Sequence, residues 1–121
     1  MRVSPEVEAS LMWLTDNGFL KSKDISISHI RERGKTYKDI KQYGGATVVS
    51  LYIRNHGIFT GKAECSKKDM FNKKVGRDIA LKRALLSVFR NIFFISKPEE
   101  FMKHLTLEFT HRGHKWAEVR K

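Results

Sequence analysis

Residues 46–65 read ATVVSLYIRNHGIFTGKAEC and contain the clearest pair of structural elements in the sequence. In its first half Val49, Leu51 and Ile53 share one face of an extended chain, and the intervening side chains take the other face. Asn55-His56-Gly57 then supplies a turn, after which apolar and polar residues alternate again. A period of two on both sides of a turn predicts an antiparallel hairpin with one buried face and one face in water.

A basic segment follows the hairpin and predicts a helix. FNKKVGRDIALKR, residues 71–83, carries five cations in thirteen residues. Ser66 stands before it and Asp69 comes three residues later, a spacing that approximates a capping box. The sequence therefore predicts that the helix begins at Ser66 and continues through the basic segment.

The apolar residues of this helix form two stripes that do not line up. Phe71, Val75 and Ile79 lie on the first stripe, and the centre of the second is rotated by roughly 110° on the same helical wheel. The second stripe comprises Leu81, Leu85, Val88, Phe89 and Ile92. A straight helix cannot direct both stripes into one flat sheet. We therefore expect a kink or break near Gly76, or a separate partner for the second stripe, which is helix one, the C-terminal segment or another copy of the chain.

The segments upstream predict one helix and one strand. Ser4-Pro5-Glu6 places a hydroxyl cap, a proline and an acid in the order of a helix start, and Gly18 lies where this helix ends. Ile25 and Ile27 alternate with polar residues and predict a strand.

The segments downstream predict a short helix and a final strand. Residues 96–100, SKPEE, signal a helix start, and we expect a short turn through His104. Residues 105–110 alternate between apolar and polar side chains and predict a strand. The fold class is therefore α+β in a single domain over residues 1–121. It comprises an N-terminal helix, an antiparallel sheet of three to four strands, a long basic helix kinked or broken near Gly76, and a C-terminal helix-strand.

Charge is the unusual feature of the composition. Twenty-four Lys and Arg oppose thirteen Asp and Glu, which gives a net charge of +11 on 121 residues. Such an excess of one sign is typical of a protein that binds a polyanion. Cys65 is the only cysteine, so no intramolecular disulfide forms, and no stretch has the ~20 apolar residues that span a bilayer. We expect a soluble cytoplasmic protein, in the host cytoplasm if the origin is viral.

The hairpin and the basic helix together resemble a known family. A hairpin followed by a helix whose start carries Ser66-Lys67-Lys68 resembles the second half of a double-stranded RNA-binding domain, over about residues 46–90. GIFTGKAECSKKD is the best-matching portion. In that family a lysine pair at this helix start contacts phosphates across the major groove, and the minor groove is recognised by shape. In this chain Ala84-Leu85, the pair that closes the family's run, comes several residues late.

A second resemblance concerns the origin of the chain. The segment AECSKKDMFNKKVGRDIALKRAL, residues 63–85, is similar to stretches in small bacteriophage-encoded proteins of unassigned function. This similarity implies a phage protein, and some phage proteins of this size act in anti-defence by sequestering nucleotide messengers.

The main functional prediction is non-catalytic binding of a phosphate-bearing partner, with nucleic acid ahead of other ligands. Contacts to backbone phosphates set affinity and carry little sequence information. The predicted contacts on and before the basic helix are Lys67, Lys68, Lys73, Lys74 and Arg77. A second strip lies in the basic loop upstream of the hairpin, where tyrosines alternate with lysines in a pattern that suits stacking and phosphate contact: Tyr37, Lys38 and Lys41.

Two other partners remain open. The first alternative is a pocket that captures a nucleotide or cyclic nucleotide, for which the eligible residues are Phe71, Asn72, Arg77, Arg83 and Arg112. The second is a basic face that docks on an acidic host protein. The second apolar stripe and the edge of the final strand also make a homo-oligomer a reasonable hypothesis. No catalytic residues and no cofactor are predicted. No metal site is predicted either, because the histidines lack a paired ligand motif.

Overall fold

A computed structural model describes residues 3–31, 44–66 and 68–111. In chain order its elements are helix α1 (Pro5–Asp16), a short 3-10 helix (Ser22–Asp24), strands β1 (Ile25–Ile30), β2 (Ala46–Ile53) and β3 (Gly57–Glu64), and helices α2 (Lys73–Asn91) and α3 (Pro98–His111). The predicted α+β class is confirmed.

The three strands form one antiparallel sheet in the order β1-β2-β3. Leu51 in the central strand is opposite Ile25 on one side and Phe59 on the other. Val49, Leu51 and Ile53 are fully buried, as the alternation predicts. The hairpin and the first strand are therefore confirmed.

Helix α2 packs on the buried face of the sheet through the second apolar stripe. Its buried residues are Ala80, Leu81, Ala84, Leu85, Val88 and Phe89. Gly61 in β3 permits this approach, because a Cβ there would overlap the backbone carbonyl oxygen of Ala80. The first stripe stays at the surface, with Val75 53% and Ile79 39% exposed. Only the second stripe is buried, and besides the sheet it meets helix one and the C-terminal helix, where the Phe89 ring contacts Trp13 at 5.9 Å and Phe101 at 5.0 Å.

The glycine in this helix does not interrupt it. Helix α2 is continuous from Lys73 to Asn91, through Gly76, so the helix does not break there. A bend of its axis at this residue stays a prediction.

Helices α1 and α3 pack together and complete the core. Trp13 of α1 makes edge-on ring contacts with Phe93 at 5.2 Å and with Phe101 at 5.6 Å between centroids. Ser4, at the start of α1, donates its backbone N–H to Asp78 Oδ1 at 2.7 Å and so ties α1 to α2. These contacts hold α1 in the interior of the helical layer, as expected for a core tryptophan.

One predicted strand and one predicted helix start are wrong. Residues 105–110 continue helix α3 instead of forming a strand, because Met102 and Leu105 are buried at helical spacing while Leu107 is exposed. Helix α2 begins at Lys73 and not at Ser66, since Ser66 caps only a tight turn in which its Oγ accepts the N–H of Lys68 at 3.2 Å. The second stripe is buried within the protein and residues 105–110 form no strand, so neither feature now supports self-association. A homo-oligomer stays a prediction.

Within the described ranges, no helix is long and apolar enough to cross a lipid bilayer.

Candidate nucleic-acid interface

The start of helix α2 is fixed by an asparagine cap. Asn72 Oδ1 accepts the backbone N–H groups of Lys74 at 3.0 Å and of Val75 at 3.1 Å. The cap satisfies two donors that the first turn of a helix otherwise leaves without partners. It also places Lys73 and Lys74 at the first two helical positions, with both side chains exposed.

The charge at this helix start opposes the helix dipole. The N-terminal end of a helix carries a partial positive charge, so acids stabilise it and cations destabilise it, by about 0.3–1 kcal/mol each. Helix α1 follows this rule with Glu6 and Glu8 in its first turn, and α3 follows it with Glu99 and Glu100. Helix α2 has no acid in its first turn and two lysines instead. The chain therefore concentrates cations where they cost stability.

Three cations act electrostatically on a histidine near the end of β1. Burial lowers the pKa of His29 below its ordinary value of 6.5, and positive charges lower it further. The charges belong, in order of effect, to Lys73, Arg77 and Arg31. We call Arg31, Lys73, Lys74 and Arg77 the cationic corner.

The aromatic ring of Phe71 packs against the cationic corner. The Arg31 guanidinium carbon lies 4.7 Å from the centroid of the Phe71 ring, within the range of a cation–π contact. The same ring meets His29 edge-on at 5.7 Å. Phe71 precedes helix α2 and is half-buried, so its predicted place on a helical stripe is wrong.

Gly76 brings the helix start against the sheet. A Cβ at this position would come within 2.5 Å of Thr47 Oγ1 and 3.3 Å of Thr47 Cβ. Thr47 Oγ1 also lies at hydrogen-bond distance, 3.0 Å, from His29 Nδ1. Because Gly76 has no side chain, the start of α2 lies close to β2 and β1 at the corner. This close approach is the reason for a glycine among the cations.

Some cations of helix α2 have partners within the protein and others have none among the described residues. Lys82 pairs with Glu6 at 3.6 Å, and Arg83 donates to the backbone carbonyl of Lys62 at 2.6 Å. In contrast, Lys73, Lys74 and Arg77 form no ion pair with any described residue. The Arg77 Nε is buried and has no hydrogen-bond partner among the described residues.

The predicted site residues are only partly brought together. Lys73, Lys74 and Arg77 lie in the first two turns of α2, and Lys68 lies in the exposed turn before this helix. The predicted contacts that lie outside the described residues are Lys67, Tyr37, Lys38, Lys41 and Arg112.

The residues of the alternative nucleotide pocket serve other contacts. The Asn72 amide oxygen is engaged in the helix cap, and Phe71 lies against Arg31 and His29. Arg83 donates to β3, away from the cap. Phe71 and Asn72 line one cleft of about 230 Å³, but Arg83 is not among its lining residues.

Sequence reasoning missed His29 and Arg31. Their side chains reach the corner because β1 ends next to the start of β2, where His29 is opposite Thr47. The alternation in β1 indicated a strand but not its partner, so only the register reveals this proximity.

Among the described residues, no group of three or more His, Cys, Asp or Glu side chains is arranged to hold a metal ion. In comparisons with known proteins, no family model, no curated protein sequence and no solved structure matches this chain.

Proposed function

We propose that this protein binds the phosphate backbone of duplex nucleic acid through the cationic corner, without catalysis. The observation that carries the proposal is the start of helix α2, where two exposed lysines replace the acids found in α1 and α3. A folded chain accepts such a cost where the charge serves a partner. Phosphate oxygens are the partner that clustered ammonium and guanidinium groups suit.

The resemblance to a double-stranded RNA-binding domain supports a duplex as the ligand. In that family the phosphate-contacting lysine pair stands at the start of the helix that follows the hairpin. With α2 beginning at Lys73, that position belongs to Lys73 and Lys74 in place of Lys67 and Lys68. With this assignment the run from the pair to Ala84-Leu85 is about six residues shorter than the run from Lys67-Lys68, which supports the proposal.

Helix α1 argues against a close copy of the family's binding mode. It carries Glu6, Glu8 and Asp16 and no cation, and α3 packs against it. Carboxylates repel phosphates, so we assign no groove contact to this helix. Binding through the corner alone rests on phosphates, and we expect little preference among sequences.

Salt dependence tests this proposal. Each phosphate contact to a duplex contributes about −0.9 to the slope of log affinity against log salt. The three corner cations that lie on helix α2, Lys73, Lys74 and Arg77, therefore predict a slope of about −2 to −3, measured by fluorescence anisotropy with labelled duplex RNA and duplex DNA.

A double substitution locates the contacts. Lys73→Gln/Lys74→Gln should weaken duplex binding at least tenfold and reduce the slope by about two. Lys97→Gln/Lys103→Gln removes two exposed cations near the start of α3 and serves as the matched control, with affinity unchanged within about twofold. Equal losses in both variants would mean that net charge, and not the corner, binds the duplex.

A further inference from the structure

A second cluster of cations lies at the opposite end of the sheet. A cleft of about 260 Å³ opens between the α1–β1 connection and the end of β2. Its lining includes Lys21, Lys23, Asp24, Tyr52 and Arg54. None of these residues belongs to the cationic corner.

Backbone hydrogen bonds build this cleft. The N–H of Arg54 donates to the carbonyl of Phe19 at 2.9 Å, which fastens the α1–β1 connection alongside the end of β2. Asp24 Oδ2 accepts the N–H of Lys21 at 3.2 Å and closes the short 3-10 helix. The positions of Lys21, Lys23 and Arg54 are therefore set by ordered backbone on both walls.

The charge of the cleft is positive and available. Lys21, Lys23 and Arg54 are exposed, and none forms an ion pair with a described residue. One carboxylate, that of Asp24, stands among these three cations and already accepts a backbone N–H. An anion in the cleft meets more positive than negative charge.

An aromatic ring lies beside these cations. Tyr52 is 48% exposed, although it lies in the central strand of the sheet. It lines the cleft together with Arg54, the first residue of the turn that follows β2. An exposed ring next to free cations is the arrangement with which proteins hold unpaired nucleotides.

We infer that this cleft binds an unpaired nucleic-acid strand, with a base stacked on Tyr52 and its phosphates held by Lys21, Lys23 and Arg54. From Thr47 to Ile53 the strand spans about 20 Å at roughly 3.3 Å per residue, so the cleft and the corner are separate sites. The inference goes beyond duplex binding and does not depend on it. Where both sites act, the protein holds a duplex and an adjoining single strand.

The test uses labelled hexathymidylate and fluorescence anisotropy at low salt. Tyr52→Leu should weaken binding about tenfold, since stacking one base contributes about 1–3 kcal/mol, whereas Tyr52→Phe should bind as the parent does. Lys21→Gln/Lys23→Gln/Arg54→Gln should reduce the salt slope by about two, at about 0.7 per cation for a single strand. The unlabelled mononucleotide should compete far more weakly than the hexamer, because it offers one phosphate.

The corner variant separates this inference from the proposed function. Lys73→Gln/Lys74→Gln should leave hexathymidylate affinity unchanged within about twofold while it weakens duplex binding. The inference is overturned if Tyr52→Leu binds hexathymidylate as tightly as Tyr52→Phe, or if the corner variant abolishes hexathymidylate binding. In either case the duplex measurements still judge the cationic corner independently.

Discussion

His29 is the residue whose protonation reports on the cationic corner. Because burial and three neighbouring cations lower its folded-state pKa, the unfolded chain takes up this proton first as the pH falls. The contribution of neutral His29 to the free energy of unfolding is therefore fully present above pH 6.5. This contribution is lost as the pH falls through the lower folded-state pKa of His29. We expect the free energy of unfolding to decrease from pH 7.5 to pH 5.5 by more in the parent than in His29→Gln, as measured by urea denaturation.

A bound polyanion should reverse the shift at His29. Phosphates at the corner offset the charges of Lys73 and Arg77, so the pKa of His29 should rise on binding and duplex affinity should increase as the pH falls. Titration of the His29 ring by NMR with and without duplex measures this directly. A pKa that does not move on binding would place the duplex elsewhere on the molecule.

Gly76 is the residue on which the convergence of α2 and β2 depends. Alanine favours a helix by about 1 kcal/mol over glycine, yet its Cβ here would lie 2.5 Å from Thr47 Oγ1. We expect Gly76→Ala to lower the free energy of unfolding by about 1–3 kcal/mol. Gly76→Ala in a Thr47→Ala background, where that oxygen is absent, should recover part of the loss relative to Thr47→Ala alone.

At the scale of elements, local pattern predicted the hairpin, β1 and α1 because each is decided by residues close in sequence. The start of α2 was missed because Ser66 and Asn72 are both good caps. Ser66 does cap a turn, with the Asp69 N–H donating to its carbonyl at 3.0 Å, but Asn72 caps the helix. The predicted final strand is wrong because packing of Met102 and Leu105 at helical spacing outweighs the alternation of their neighbours.

For the candidate interface as well, sequence patterns indicate residues that are close along the chain and do not indicate residues that are brought together by strand pairing. Lys73, Lys74 and Arg77 lie within five residues of one helix, so their charge is visible in the sequence. His29 and Arg31 join them only through the pairing of β1 with β2. Proximity across a sheet depends on register, which a single strand pattern does not contain.

At the scale of the whole molecule, the two proposed sites occupy opposite ends of one sheet. The corner lies where β2 begins and the cleft lies where β2 ends. A duplex that carries a single-stranded extension should therefore bind more tightly than the same duplex with blunt ends. Tyr52→Leu should remove this difference while leaving blunt-duplex affinity unchanged, as measured by anisotropy.

Stability and duplex binding, measured together in Lys73→Glu/Lys74→Glu, test whether the lysines at the start of α2 serve a phosphate-bearing partner at a cost in stability. Acids at the start of α2 complement the helix dipole, so the free energy of unfolding should rise by about 0.5–2 kcal/mol. The same acids repel phosphates, so duplex affinity should fall by more than tenfold at low salt. A variant that is more stable than the parent and no longer binds the duplex would support the proposed role of Lys73 and Lys74. Unchanged duplex affinity in the folded variant would contradict it.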